Sequence, residues 1–158
     1  MIQEIKDINI INEKLSNFNT SVKEIGVYTK YYSYIENDLI VGFLSFDLIY
    51  DRAEINYIFV EEKYRKKGIA TKLLNYMLDI CNNECNNITL EVKESNKSAI
   101  NFYLKNGLQV MPFHMILFNV YMQILCTKTI TFDDYRNLLI QVFGPYCEKN
   151  VLLNRQFD

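Results

Sequence analysis

Apolar positions along this chain recur with two periods, and the switches between them predict its elements. Ile5, Ile8, Asn12 and Leu15 repeat at helical spacing, so Asp7–Ser16 is expected to be a first helix. A second short helical stretch is expected near Ser21–Ile25. "YYSYIENDLIVGFLSFDLIY" then reads as two β-rich runs joined by Asn37-Asp38, a hairpin signal. Asp51-Arg52 marks another turn, and "AEINYIFV", Ala53–Val60, follows as a third strand. Three antiparallel strands in succession make a meander.

The period then changes. Ile69, Leu73, Met77 and Ile80, with Ala70, Leu74, Leu78 and Cys81 beside them, lay a wide apolar face over a helix spanning Gly68–Cys81. "NNECNN" ends it. "ITLEV", Ile88–Val92, is a short buried strand, and "SNKSAINFYLKNG" is a helix stopped by Asn106-Gly107. Apolar runs near Leu108–Ile116 and Val120–Thr127 read as closing strands. Thr131 is placed to cap a last helix over Phe132–Phe143, which Gly144-Pro145 breaks.

Composition narrows the class. At 158 residues, 49% hydrophobic and 23% charged, the chain is expected to fold as one domain, residues 1–158, around a sizeable core. A formal charge of −2 gives no basic field, so nucleic acid is not an expected partner. No apolar run reaches membrane-spanning length, and "MIQEIKDINI" lacks the form of a signal peptide, so the expected location is the cytoplasm. Cys81, Cys85, Cys126 and Cys147, with a single histidine at His114, fit neither a zinc site nor a disulfide framework; free thiols and no metal are expected.

Chemistry concentrates in "YRKKGIATKLL", where three cations, Arg65, Lys66 and Lys67, precede Gly68 at the start of an apolar helix. The first N–H groups of a helix lack intrahelical acceptors, and the aligned peptide dipoles favour an anion there. Gly68 lets such an anion approach the backbone, and Ala70 is nearly as small. Arg65 would add a fork of donors and Lys67 a point charge. Phosphate is the natural occupant, although a solvated basic turn carries the same letters. The pattern is neither a Walker loop nor G-x-G-x-x-G.

"IFVEEKYRKKGIATKLL" resembles the acetyl-CoA signature of the GNAT N-acetyltransferase superfamily, Arg/Gln-x-x-Gly-x-Gly/Ala, here Arg65-x-x-Gly68-x-Ala70. "LEVKESNKSAINFYLKNGL" resembles the second GNAT signature, in the form found in bacterial RimI-type enzymes, which acetylate the N-terminal alanine of a ribosomal protein. The resemblance covers roughly Tyr32–Leu108. It implies an α/β GNAT fold: a mixed, mostly antiparallel sheet flanked by helices and splayed between the Ala53–Val60 and Ile88–Val92 strands to admit acetyl-CoA. By this similarity the backbones of Phe59 and Val60 bond the pantetheine arm. Backbone N–H groups of the loop Arg65, Lys66, Lys67, Gly68, Ile69, Ala70 and Thr71 hold the pyrophosphate. Asn96 reaches the cofactor's amide region and Tyr103 faces its sulfur. Seven residues are about 700° of helix, which puts Asn96 and Tyr103 near one face.

The implied function is transfer of acetyl from acetyl-CoA to an amine acceptor, a protein N-terminus in the RimI form. The amine must lose a proton, attack the thioester and pass through an oxyanion, and the departing thiolate must gain a proton. Glu91 stands where RimI-type enzymes carry a base, and Tyr103, at an unperturbed pKa of about 10, is the implied acid. Glu54 is the rival base; simple alternation gives it a strand face shared with Asn56, Ile58 and Val60. Two other readings stay open: acetylation of a small amine such as an antibiotic or polyamine, and a non-catalytic acyl-CoA-binding module. From about residue 108 the sequence departs from the family, lacking its basic, tyrosine-rich stretch.

Overall fold

The computed structural model of the chain describes residues 1–110 and 150–156. The chain divides into two compact units whose boundary falls between Leu90 and Glu91. In the first unit, β1 (Ile2–Glu4), β2 (Thr29–Glu36), β3 (Leu39–Ile49) and β4 (Arg52–Val60) are antiparallel neighbours in chain order, and β5 (Asn87–Lys93) joins parallel to β4. This five-stranded mixed sheet matches the expected one, with β1 added at its edge. Three residues of mixed polarity carry no strand signal by themselves. β1 is a strand because β2 pairs with it, Gln3 opposite Ser33. The β2–β3 hairpin turns on Asn37 (φ 52°) and Asp38 (φ 60°), both left-handed, as a two-residue hairpin requires.

α1 (Ile8–Leu15) is capped by Asp7, whose carboxylate accepts from the Asn9 N–H at 2.8 Å. The helix expected at Ser21–Ile25 does not form. The Asn12 side chain donates to the Val22 carbonyl at 3.0 Å and accepts from the Val22 N–H at 2.8 Å. That clamp holds both backbone groups of Val22 away from any helical ladder. Asn12, counted among the apolar-face positions, serves as this clamp.

Cross-strand pairs sort the sheet residues between its two faces. Tyr31, Phe43, Tyr57 and Phe59 pack with Ile11 and Leu15 of α1. Tyr32 stacks on Phe46 and meets Tyr76 of α2 (Ile69–Glu84) on the opposite face. The sheet therefore has a helix on each side, and α2 buries Ile69, Leu73, Leu74, Met77, Leu78 and Cys81; Ala70 and Ile80, also expected on that stripe, are only half-buried. Gly42 sets how closely α2 approaches. A Cβ there would meet Ile69 Cγ2 at 2.9 Å and Leu73 Cδ1 at 3.1 Å.

One irregularity decides orientation along β4. Ser45 pairs with Tyr57 but Phe46 pairs with Ile55, so Asn56 is an extra residue, a β-bulge. Ala53 and Ile55 consequently lie on the Phe46 face with α2, while Tyr57 and Phe59 lie on the α1 face. Glu54 pairs with Asp47 and so belongs to the Tyr57 and Phe59 side. The expectation that it shares a face with Ile58 and Val60 is corrected: the bulge inverts the alternation between them.

In the second unit, α3 (Lys97–Lys105) ends at Asn106-Gly107 as expected, and β6 (Gln109–Val110) pairs antiparallel with β7 (Asn150–Gln156). β7 was not expected, whereas β6 begins the strand predicted near Leu108–Ile116. The Val120–Thr127 strand, the Phe132–Phe143 helix with its Thr131 cap, the Gly144-Pro145 break, His114, Cys126 and Cys147 lie outside the described residues. Cys81 and Cys85 are free and buried. Among the described residues no helix is long and apolar enough to cross a membrane, and no group of three or more His, Cys, Asp or Glu side chains is gathered to hold a metal.

Candidate active site

The β4–β5 ladder is short. It runs from Arg52 opposite Asn87 to Glu54 opposite Thr89, while β4 continues to Val60 with β3 along its other edge. The Glu61 N–H donates to the Val41 carbonyl at 2.9 Å, extending the β3 pairing by one residue. Backbone groups of successive strand residues point to alternate sides. Those of Phe59 therefore face β3, and those of Val60 face the edge beyond the ladder. The Val60 carbonyl accepts from Arg65 Nε at 3.1 Å, so at Val60 the N–H is the group left to face that edge.

The loop after Val60 tightens into a 3-10 turn over Glu62–Tyr64, and the backbone turns left-handed at Lys66 (φ 61°) and again at Gly68 (φ 76°). Gly68 is the N-cap of α2 and supplies no side chain to it, so the first N–H groups of a sixteen-residue helix have no side-chain cap. The first helical bond runs from the Lys72 N–H to the Gly68 carbonyl at 3.0 Å. A Cβ at Gly68 would meet nothing within 4 Å. Open space in front of uncapped N–H groups at the positive end of a helix dipole is what a diphosphate requires, so the residues present fit the cofactor inferred from sequence.

The cations divide the work differently from the sequence expectation. Arg65 does not present its whole fork to an anion, because Nε is committed to Val60. Lys67 Nζ sits over the Tyr64 ring at 4.8 Å, and Lys63 Nζ approaches the same ring at 5.2 Å. Lys66 is exposed. Ile69 is buried, and Ala70 and Thr71 are half-buried. An anion at this helix start would be met by backbone N–H groups, while these side chains contact the turn itself.

Three other sequence candidates, Asn96, Tyr103 and Glu91, belong to the second unit, and Glu54 to the first. Asn96 is the N-cap of α3, and its Oδ1 accepts from the Ala99 N–H at 3.1 Å. Its amide oxygen is thus occupied by the helix. Tyr103 is 5% exposed on the same helix, and burial pushes its hydroxyl well above the usual tyrosine range. Such a phenol stays protonated at neutral pH, a state that suits a proton donor and not a base. Glu91 is exposed and alternates with buried Leu90 and Val92, as expected. Glu54 is exposed on β4 opposite Thr89. Sequence reading missed Lys14, a buried cation on α1, and Glu61, the carboxylate it meets; both letters looked like ordinary surface charge.

The profile of the acetyltransferase (GNAT) family matches residues 13–108, more than half the chain. The chain belongs to this family. GNAT enzymes use acetyl-CoA as cosubstrate to acetylate amines, and the mixed sheet flanked by helices is their fold. A stretch of 50 residues is 48% identical to N-alpha-acetyltransferase 50 of Danio rerio, covering 30% of each protein. Over 87 residues, 55% of the chain is 28% identical to 11% of the human Cysteine-rich protein 2-binding protein. The chain therefore spans less than a third of either curated relative. Among solved structures, the fold resembles the ribosomal-protein-S18-alanine N-acetyltransferase from Escherichia coli, with TM-score 0.65 and 16% identity over 100% of this chain and 94% of that one. It also resembles Arabidopsis thaliana Naa50 in complex with the bisubstrate analogue CoA-Ac-MVNAL, with TM-score 0.62 and 22% identity over 99% and 98%.

Proposed function

We propose that this GNAT chain acetylates the α-amine of a protein N-terminus, in the manner of RimI-type enzymes, acting as one catalytic domain in the cytoplasm. The observation that carries the acceptor assignment is the local 48% identity to N-alpha-acetyltransferase 50. Two structural neighbours, one a ribosomal-protein-S18-alanine N-acetyltransferase and one bound to the bisubstrate analogue CoA-Ac-MVNAL, are in keeping with it.

Acetyl-CoA supplies the activated acyl carbon. The uncapped N–H groups of α2 hold its diphosphate, and the Val60 N–H binds the pantetheine arm. Glu91 takes the proton from the incoming ammonium, with Glu54 as the alternative base. Tyr103 gives a proton to the departing sulfur. An ordinary thiol has a pKa of about 8.5, so transfer from a raised tyrosine is uphill and must accompany C–S cleavage. Asn96, occupied as a helix cap through Oδ1, keeps its NH2 group for a cofactor carbonyl. An α-amine, at about 7.7–8.0, needs far less help to lose its proton near neutral pH than lysine at about 10.4.

The test is thiol release from acetyl-CoA across alanine- and methionine-starting peptides, an N-terminally blocked lysine peptide and a polyamine. Turnover with a free N-terminal peptide is expected. Preference for the blocked lysine peptide or the polyamine would sink the N-terminal assignment. Acetyl-CoA binding with no turnover on any acceptor would favour a non-catalytic binding module.

A further inference from the structure

Lys14 is the one charged residue buried among the described residues, at 9% exposure. Taking an ammonium out of water costs several kcal/mol unless it is paired, and a Leu or Met at the end of α1 would avoid that cost. Its Nζ lies 2.9 Å from Glu13 Oε1, a neighbour on the same helix, and 3.8 Å from Glu61 Oε1. Glu61 is the joint where β4 becomes the loop before α2. Its N–H bonds the Val41 carbonyl at 2.9 Å, and its carbonyl accepts from the Tyr64 N–H at 2.8 Å to open the turn. The same end of α1 leads into Phe18, whose ring lies tilted against Tyr57 at 4.5 Å and edge-on to Phe59 at 6.0 Å, so this region of α1 lies along the last residues of β4.

We infer that Lys14 is a positioning residue for acetyl-CoA: its ion pair with Glu61 holds the entry of the diphosphate loop in its binding shape before the cofactor arrives. The inference rests on the cofactor reading above. The Arg65–Val60 bond fixes the loop from within, and Lys14 fixes it from α1. A loop ordered in advance costs less to bind, so the pair acts on cofactor affinity and not on the chemical step. Glu13 supplies half of Lys14's pairing but does not touch the loop, which separates the positioning role from simple neutralisation of a buried charge.

The experiment measures CoA affinity by calorimetry, together with KM for acetyl-CoA and kcat, in wild type, Glu61→Gln, Lys14→Met, Lys14→Arg and Glu13→Gln. Glu61→Gln and Lys14→Met are expected to weaken CoA binding by about fivefold and to raise KM alike, with kcat at saturating acetyl-CoA retained. The double variant should be no worse than either single one. Lys14→Arg should restore affinity, and Glu13→Gln should leave it at the wild-type value. Glu61→Gln changes an accessible side chain, so it reports even where Lys14→Met does not fold. Wild-type affinity in folded Glu61→Gln, or equal losses in Glu13→Gln, overturns the inference while the cofactor reading stands. A wild-type protein that binds no CoA overturns both.

Discussion

Gly68→Asp tests the centre of the cofactor reading. At φ 76° and ψ 8° Gly68 is left-handed, and a Cβ there meets no atom within 4 Å, so a side chain costs only backbone strain. For an ordinary residue that strain is about 1–2 kcal/mol, and Asp and Asn tolerate the conformation better than most. A negative charge at the start of α2 returns roughly 0.3–1 kcal/mol through the helix dipole. The two nearly cancel, and Tm should move by only a few degrees. Cofactor binding responds in the opposite direction. One carboxylate about 5 Å from two phosphate charges is repelled by about 1.7 kcal/mol even at the dielectric constant of water, and by more beside protein. Affinity for CoA should therefore fall by roughly tenfold or more, about 1.4 kcal/mol per decade. Gly68→Asn, of similar size and neutral, should lose less. Calorimetry at low and high salt separates them, because screening shrinks the Asp deficit and leaves the Asn one unchanged. A folded Gly68→Asp protein that binds CoA as wild type does would refute the diphosphate assignment.

Tyr103→Phe should lower kcat by roughly 10²-fold while CoA affinity stays near wild type; equal turnover would leave the ring as packing alone. Because burial raises its pKa, Tyr103 is protonated across neutral pH, so its loss should depress the rate evenly from pH 6 to 9 and not shift the acidic limb. Glu91→Gln should reduce the rate most below about pH 8, where an α-amine is still protonated, and the deficit should shrink at higher pH. A pH–rate profile showing the larger loss in Glu54→Gln would reassign the base. Gly42→Ala forces a methyl to within 2.9 Å of Ile69 Cγ2, so thermal unfolding should reveal about 1–3 kcal/mol of overpacking; an unchanged Tm would show that α2 shifts without strain.

What the sequence determined by itself is local. The α2 stripe, the Asn37-Asp38 turn and the Asn106-Gly107 stop are specified by periods and turn chemistry within a few residues, and the structure has a helix, a left-handed turn and a helix end at those places; it also turns left-handed at Lys66 and Gly68 before α2. The loop proposed for the cofactor was legible as a candidate because a helix N-terminus acquires its polarity from its own backbone. What tertiary structure decided depends on partners distant in the chain. Ser21–Ile25 has helical letters, but Asn12, ten residues before Val22, takes the backbone groups that a helix would use. β1 is a strand because β2 offers a ladder to it, and β7 likewise takes its form from strands far away in the chain. Arg65 looked like a phosphate fork until the Val60 carbonyl claimed its Nε. The bulge at Asn56 arises in pairing with β3, and one extra residue moves Glu54 to the face of Tyr57 and Phe59. A period-two pattern carries no record of such an insertion, because the register belongs to two strands at once and neither one encodes it alone.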